Sequence, residues 1–128
     1  MPYALIAGGS KGIGYAIAEA LARRKYDLIL LGRHNSTLEA AKKKLENQYQ
    51  VAVELYQIDL SEHNSADKIA NWCKEKDFHI NVLCNVAGLG GSKDYLQLPL
   101  EDLRYMIRLN IESDMAMCFS LLPALKKN

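Results

Sequence analysis

The stretch IAGGSKGIGYAIAEAL, Ile6 to Leu21, sets a short apolar run against a helical pattern with a glycine cluster between them. Gly8, Gly12 and Gly14 keep the spacing G-x-x-x-G-x-G. Glycine lets a backbone pass close to a ligand, and a helix opening directly after such a loop offers unpaired N–H groups and the positive end of its dipole. The stretch therefore reads as a cradle for a pyrophosphate. It is neither the G-x-G-x-x-G spacing nor a P-loop, because no G-K-[ST] is present. A tight turn without a ligand is the competing reading, and the strand before and the helix after weigh against it.

Outward from the cradle the same alternation repeats. YALIAG (Tyr3 to Gly8) is an apolar run ended by glycine, the pattern of a strand buried on both faces. Ile13, Ala16, Ile17, Ala20 and Leu21 recur at helical spacing, so the cradle opens a helix. DLILLG (Asp27 to Gly32) predicts a second strand, and Ser36 with Glu39 has capping-box spacing ahead of a helix running to about Tyr49. VAVELYQID (Val51 to Asp59) predicts a third strand, with Ser61 as cap for a helix over Glu62 to Lys76 whose Ile69 and Trp72 face the core. NVLCNVAG (Asn81 to Gly88) predicts a fourth, followed by a polar glycine-containing loop and a long helix from about Pro99 to Lys126. Strands this apolar, each followed by a helix, argue an α/β fold: a doubly wound parallel sheet with helices on both faces, its strands ordered three, two, one, four. No linker or repeat divides residues 1–128, which are read as one domain.

Composition narrows the function classes. A chain of 128 residues, 49% hydrophobic, buries a core that needs neither disulfide nor metal. Cys73, Cys84 and Cys118 are odd in number and far apart, without C-x-x-C or histidines at ligand spacing, which predicts reduced thiols in the cytoplasm and no metal site. A net charge of +1 gives no field for nucleic acid, and Lys42, Lys43 and Lys44 read as a solvated helix face. Neither a membrane segment nor an export signal is evident.

In open parallel sheets ligands bind beyond the carboxyl ends of the strands. After the second strand, where an NAD site places an acidic residue on the ribose 2′-hydroxyl, stands Gly32-Arg33. Arg33 offers a fork suited to a 2′-phosphate, with Ser10 and Lys11 reaching from the first loop, so NADP(H) is expected in preference to NAD(H). Solvated surface charges are the alternative for Arg33 and Lys11. Asp59, Asn85 and Gly88 at later strand ends serve equally well as turn residues. Asn110 falls near the stripe Leu103, Met106, Ile107, Met117 and Leu121; a polar interruption there suggests a polar network near the site, or else a helix bend or interface.

Taken together, A-G-x-x-K-G-I-G, Gly32-Arg33, Asp59-Leu60, N-V-A-G and Asn110 resemble the short-chain dehydrogenase/reductase family in order and spacing across essentially the whole chain. The resemblance implies a Rossmann fold in which Gly8, Gly12, Ile13 and Gly14 hold the pyrophosphate. It implies that Asp59 and Leu60 flank the adenine, that Asn85, Ala87 and Gly88 line the adenosine and ribose side, and that Asn110 supports the proton relay. Ala7 replaces the usual threonine and Val86 the second asparagine of N-N-A-G, each removing a side chain that ties loops together.

The family's serine and Tyr-x-x-x-Lys pair are absent: none of the seven tyrosines has a lysine four residues on. The resemblance thus implies the cofactor-binding portion of an NADPH-dependent enzyme that reduces a carbonyl, a 3-oxoacyl thioester among the candidates, and that is inactive as given. The ending LLPALKKN, with Pro123 and Asn128, is expected to lead into a further strand, which leaves the fourth strand as an apolar edge prone to self-association and the protein a homo-oligomer. The alternatives are a non-catalytic NADP(H)-binding or interaction module ending at residue 128, and a structural domain with an empty cradle.

Overall fold

The computed structural model describes residues 2–88 and 98–127; the expected glycine-containing loop and Asn128 lie outside them. Four strands, β1 (Tyr3–Ala7), β2 (Asp27–Gly32), β3 (Val53–Gln57) and β4 (Ile80–Asn85), alternate with helices α1 (Gly12–Arg23), α2 (Asn35–Tyr49), α3 (Ser65–Glu75), α4 (Leu100–Ile107) and α5 (Ser113–Lys127). A π-helical turn, Arg108–Glu112, joins α4 to α5 into one long rod.

The sheet is parallel in the order β3-β2-β1-β4. Side chains alternate across each strand, so its apolar run feeds two cores. Ala4, Ile6, Leu28, Leu30 and Val53 face α1 and α2, meeting Ala18, Ala22, Leu38 and Leu45. Leu5, Ala7, Ile29 and Leu31 face α3 and α5, meeting Ile69, Cys73, Met117 and Leu121. Register brings Ala7 level with Leu31 and with Asn85, and Gly32 level with Gln57, so the carboxyl ends share one edge. Trp72 is half-buried and stacks edge-on against Tyr56 and Phe78.

Strand β3 is shorter than the apolar run suggested, and β4 begins one residue earlier and ends three before Gly88. Neither expected cap forms. Helix α2 starts behind His34, and Ser36 sits in its first turn without a side-chain cap bond. Leu38, fully buried beside Gly32, holds the helix start close to β2 and leaves no room for two more lead-in residues. Helix α3 starts behind Asn64, in the left-handed region at φ 64°, because Ser61 is committed to Asp59. The residues α1 buries are Gly14, Ala18 and Ala22, whereas Ala16 and Ala20 are exposed. Small residues at i, i+4 and i+8 bring the helix close to the sheet. On the long rod the π turn adds a residue and rotates the face: Ile107 is exposed, and Leu109 is buried in its place.

Candidate functional site

At the carboxyl edge the chain leaves β1 through Gly8 at φ 87° and enters α1 through Gly12 at φ 60°, conformations that favour glycine. Close approaches fix the loop. A Cβ on Gly14 would overlap the Gly8 carbonyl oxygen, and one on Gly8 would stand 2.8 Å from the Ala87 nitrogen. Backbone bonds tie the loop to its neighbours: Gly8 N donates to Leu31 O at 2.9 Å and Ala87 N to Ala7 O at 2.7 Å. A Cβ on Gly12 would meet nothing within 4 Å, so the backbone there faces open space.

That space is a groove of about 530 Å³. Gly8, Ser10, Lys11, Gly12, Ile13 and Gly14 line it from the first loop, Arg33 and Leu60 from beyond β2 and β3, and Ala87 and Gly88 from beyond β4. Ile13, 74% exposed, points its side chain away from the core. Asp59 and Asn85 are not among the groove's walls. The Asp59 carboxylate turns back to accept from Ser61 N at 2.9 Å and Ser61 Oγ at 2.7 Å, the turn-residue alternative. Partial burial pushes the Asp59 carboxyl up, but the Ser61 donors, with Arg33 and Tyr105 behind them, outweigh that and hold it below its ordinary value. Asn85 Nδ2 donates to Cys118 Sγ at 3.4 Å. Asn110 lies in the π turn with its Oδ1 beside Gly88, 2.9 Å from where a Cβ would stand.

The sequence reading missed Tyr105. It lines the groove together with Leu109, one turn on, and with His34 and Thr37. Arg33 Nη1 donates to Tyr105 Oη at 3.0 Å, and the guanidinium carbon lies 6.0 Å from the ring centroid. Tyr105 Oη in turn lies 3.4 and 3.5 Å from the two Asp59 carboxylate oxygens. The signal was the i, i+4 pairing of Tyr105 with Leu109, masked because the apolar stripe was drawn through Ile107. No group of histidine, cysteine and acidic side chains fit to hold a metal occurs among the described residues. No helix among them is long and apolar enough to cross a membrane.

The groove's furniture fits a dinucleotide: a glycine-lined cradle at a helix N-terminus for a pyrophosphate, and a guanidinium at the end of β2 where the adenosine ribose would lie. A family profile described as short chain dehydrogenase matches residues 2–128. An NADP-dependent 3-hydroxy acid dehydrogenase of Schizosaccharomyces pombe is 36% identical over 93% of this chain and 47% of its own length. A very-long-chain 3-oxoacyl-CoA reductase of Kluyveromyces lactis is 31% identical over 97% of this chain and 36% of its own. An alcohol dehydrogenase of the archaeon Thermococcus sibiricus, solved with 5-hydroxy-NADP, superimposes with a TM-score of 0.91 at 33% identity, covering 99% of this chain and 54% of that one. The chain thus spans about half the length, or less, of these relatives.

Proposed function

Because the chain belongs to the short-chain dehydrogenase family, we propose that residues 1–128 are the NADP(H)-binding portion of an oxidoreductase that reduces a small-molecule carbonyl, or oxidises the matching alcohol. The observation that carries the reading is Arg33 at the lip of the groove, where a carboxylate would be needed to prefer NAD(H). Gly8, Gly12, Ile13 and Gly14 cradle the pyrophosphate and Ser10, Lys11 and Arg33 the 2′-phosphate. Leu60 flanks the adenine, with Asp59 bonded back to Ser61 behind it, and Ala87 and Gly88 line the adenosine and ribose side. When bound, the nicotinamide supplies the hydride. Asn110, against Gly88, is a supporting residue at the nicotinamide-proximal end.

The proton that accompanies hydride transfer has no evident donor here, for no tyrosine is followed at four residues by a lysine. We therefore assign binding and orientation to this chain and expect no turnover from it alone. A 3-oxoacyl thioester is the favoured substrate class, supported by the name of the Kluyveromyces lactis relative. Calorimetric titration tests the reading: NADPH binds more tightly than NADH, and Arg33→Asp reverses the order. Tighter NADH binding by the wild type, or an unchanged preference in Arg33→Asp, refutes it.

The partner is a second copy of the chain. Ile107, Ile111, Met115, Phe119 and Leu122 are exposed along the rod, with acidic Glu101 and Asp102 in its first turn and Lys126 and Lys127 in its last. Antiparallel pairing about a two-fold axis sets the acidic end of each rod against the basic end of the other while covering the apolar stripe. The three free cysteines support the cytoplasm as the compartment.

A further inference from the structure

Arg33 is exposed, and an exposed arginine samples many rotamers, so that fixing it on a phosphate costs binding energy. In this chain it is already held. The Tyr105 hydroxyl accepts one of its N–H groups at 3.0 Å while the ring lies beside the guanidinium, a contact between residues 72 apart in sequence. The same hydroxyl donates toward Asp59, whose carboxylate is anchored separately by both Ser61 donors. Tyr105 therefore stands between a fixed anion and the arginine, and Arg33 and Asp59 are not paired directly. The Arg33 backbone is fixed as well, for Gln57 Nε2 donates to Arg33 O at 2.9 Å.

We propose that Tyr105 is the positioning residue for cofactor discrimination: its hydroxyl and ring hold the Arg33 guanidinium over the groove, and keep it off the Asp59 carboxylate, so that a ribose 2′-phosphate meets a preset cation. This rests on the assignment of Arg33 above and adds the residue that makes Arg33 effective. An arginine has five N–H donors in a fixed fork, and the tyrosine engages one of them, so the hold and the phosphate need not compete. Tyr105→Phe keeps the ring and removes the hydroxyl; Arg33 then turns toward Asp59, and the phosphate must compete with a carboxylate for it.

The test uses two small probes that need only the adenosine end, adenosine 2′,5′-bisphosphate and adenosine 5′-monophosphate, titrated calorimetrically into the 128-residue chain. The readout is the ratio of their Kd values, which loss of folded protein does not move because both affinities fall together. Tyr105→Phe is expected to lower the preference for the bisphosphate roughly fivefold, the worth of one hydrogen bond to a charged group in an exposed setting, with the monophosphate affinity unchanged. Tyr105→Leu, which also removes the ring contact, lowers it about tenfold. Arg33→Ala separates the two levels of the argument. If Arg33→Ala abolishes the preference while Tyr105→Phe leaves it intact or raises it, the role of Tyr105 is refuted and the assignment of Arg33 stands. If Arg33→Ala leaves the preference intact, or the wild type has none, both fall.

Discussion

Replacing two cradle glycines by alanine separates conformational from steric demand. Gly12 has φ 60° and a Cβ there would touch nothing within 4 Å, so Gly12→Ala suffers only the left-handed backbone penalty of about 1–2 kcal/mol. At roughly 2.1 cal/mol/K per residue for a chain of this length, that lowers Tm by roughly 4–7 °C. Gly14 lies inside α1 with no such φ, and helix propensity alone would have alanine stabilise it by about 1 kcal/mol. The structure reverses that sign. The new methyl would overlap the Gly8 carbonyl oxygen and stand 2.7 Å from its carbon and 3.1 Å from Gly9 Cα, all backbone atoms that cannot swing aside. Overpacking of this kind costs about 3 kcal/mol or more where, as here, only backbone is met, leaving a net loss of at least about 2 kcal/mol, at or beyond the upper end of the Gly12→Ala cost, and the lower Tm of the two. Urea titration and calorimetric melting of the three proteins give the order wild type, Gly12→Ala, Gly14→Ala. A Gly14→Ala protein as stable as wild type would show that α1 is not seated on the glycine loop.

Asp59 carries a pH signature. Its folded carboxyl lies below the ordinary 3.8, so its contribution is present above that value and is lost as pH falls through the lower folded value; Asp59→Asn should flatten this acid limb of the stability profile measured by urea titration between pH 2 and 6, and an unchanged slope would refute the Ser61 hydrogen bonds as its cause. Burial pushes the Cys73 thiol up to about 11, and burial also raises Cys84, while Cys118 is exposed. Iodoacetamide at pH 8 should therefore label Cys118 first, with Cys73 protected until the chain unfolds; peptide mass mapping showing early Cys73 labelling would contradict the packing of α3 on the sheet. Phe119→Glu, at an 82% exposed position, should leave the melting curve unchanged and shift the light-scattering mass from dimer to monomer. A wild type that stays monomeric at high concentration would remove the paired-rod reading.

The sheet was legible because its central strands, β1 and β2, are buried on both faces and appear as unbroken apolar runs, and because the cradle glycines answer to positive φ at Gly8 and Gly12 and to close backbone approach at Gly8 and Gly14. Strand order followed from the doubly wound pattern. The caps were not legible: Ser36 and Ser61 have the right spacing, but Leu38 packing beside Gly32 and the Asp59 turn decide where α2 and α3 begin. The buried face of α1 was hidden because Gly14, Ala18 and Ala22 carry little hydropathy, and what they contribute is close approach. Tyr105 was invisible for a different reason. Its role depends on contacts with Arg33 and Asp59, 72 and 46 residues away, and on a π turn that local periodicity does not announce.

The most direct test of the account is amide chemical-shift mapping of the isotope-labelled chain during titration with NADPH. The account predicts that the perturbed amides cluster at Gly8–Gly14, Arg33, Asp59–Leu60 and Ala87–Gly88, around the carboxyl edge of the sheet, with Tyr105 among them. A folded chain whose shifts stay unchanged, or change away from the carboxyl edge of the sheet, would contradict it.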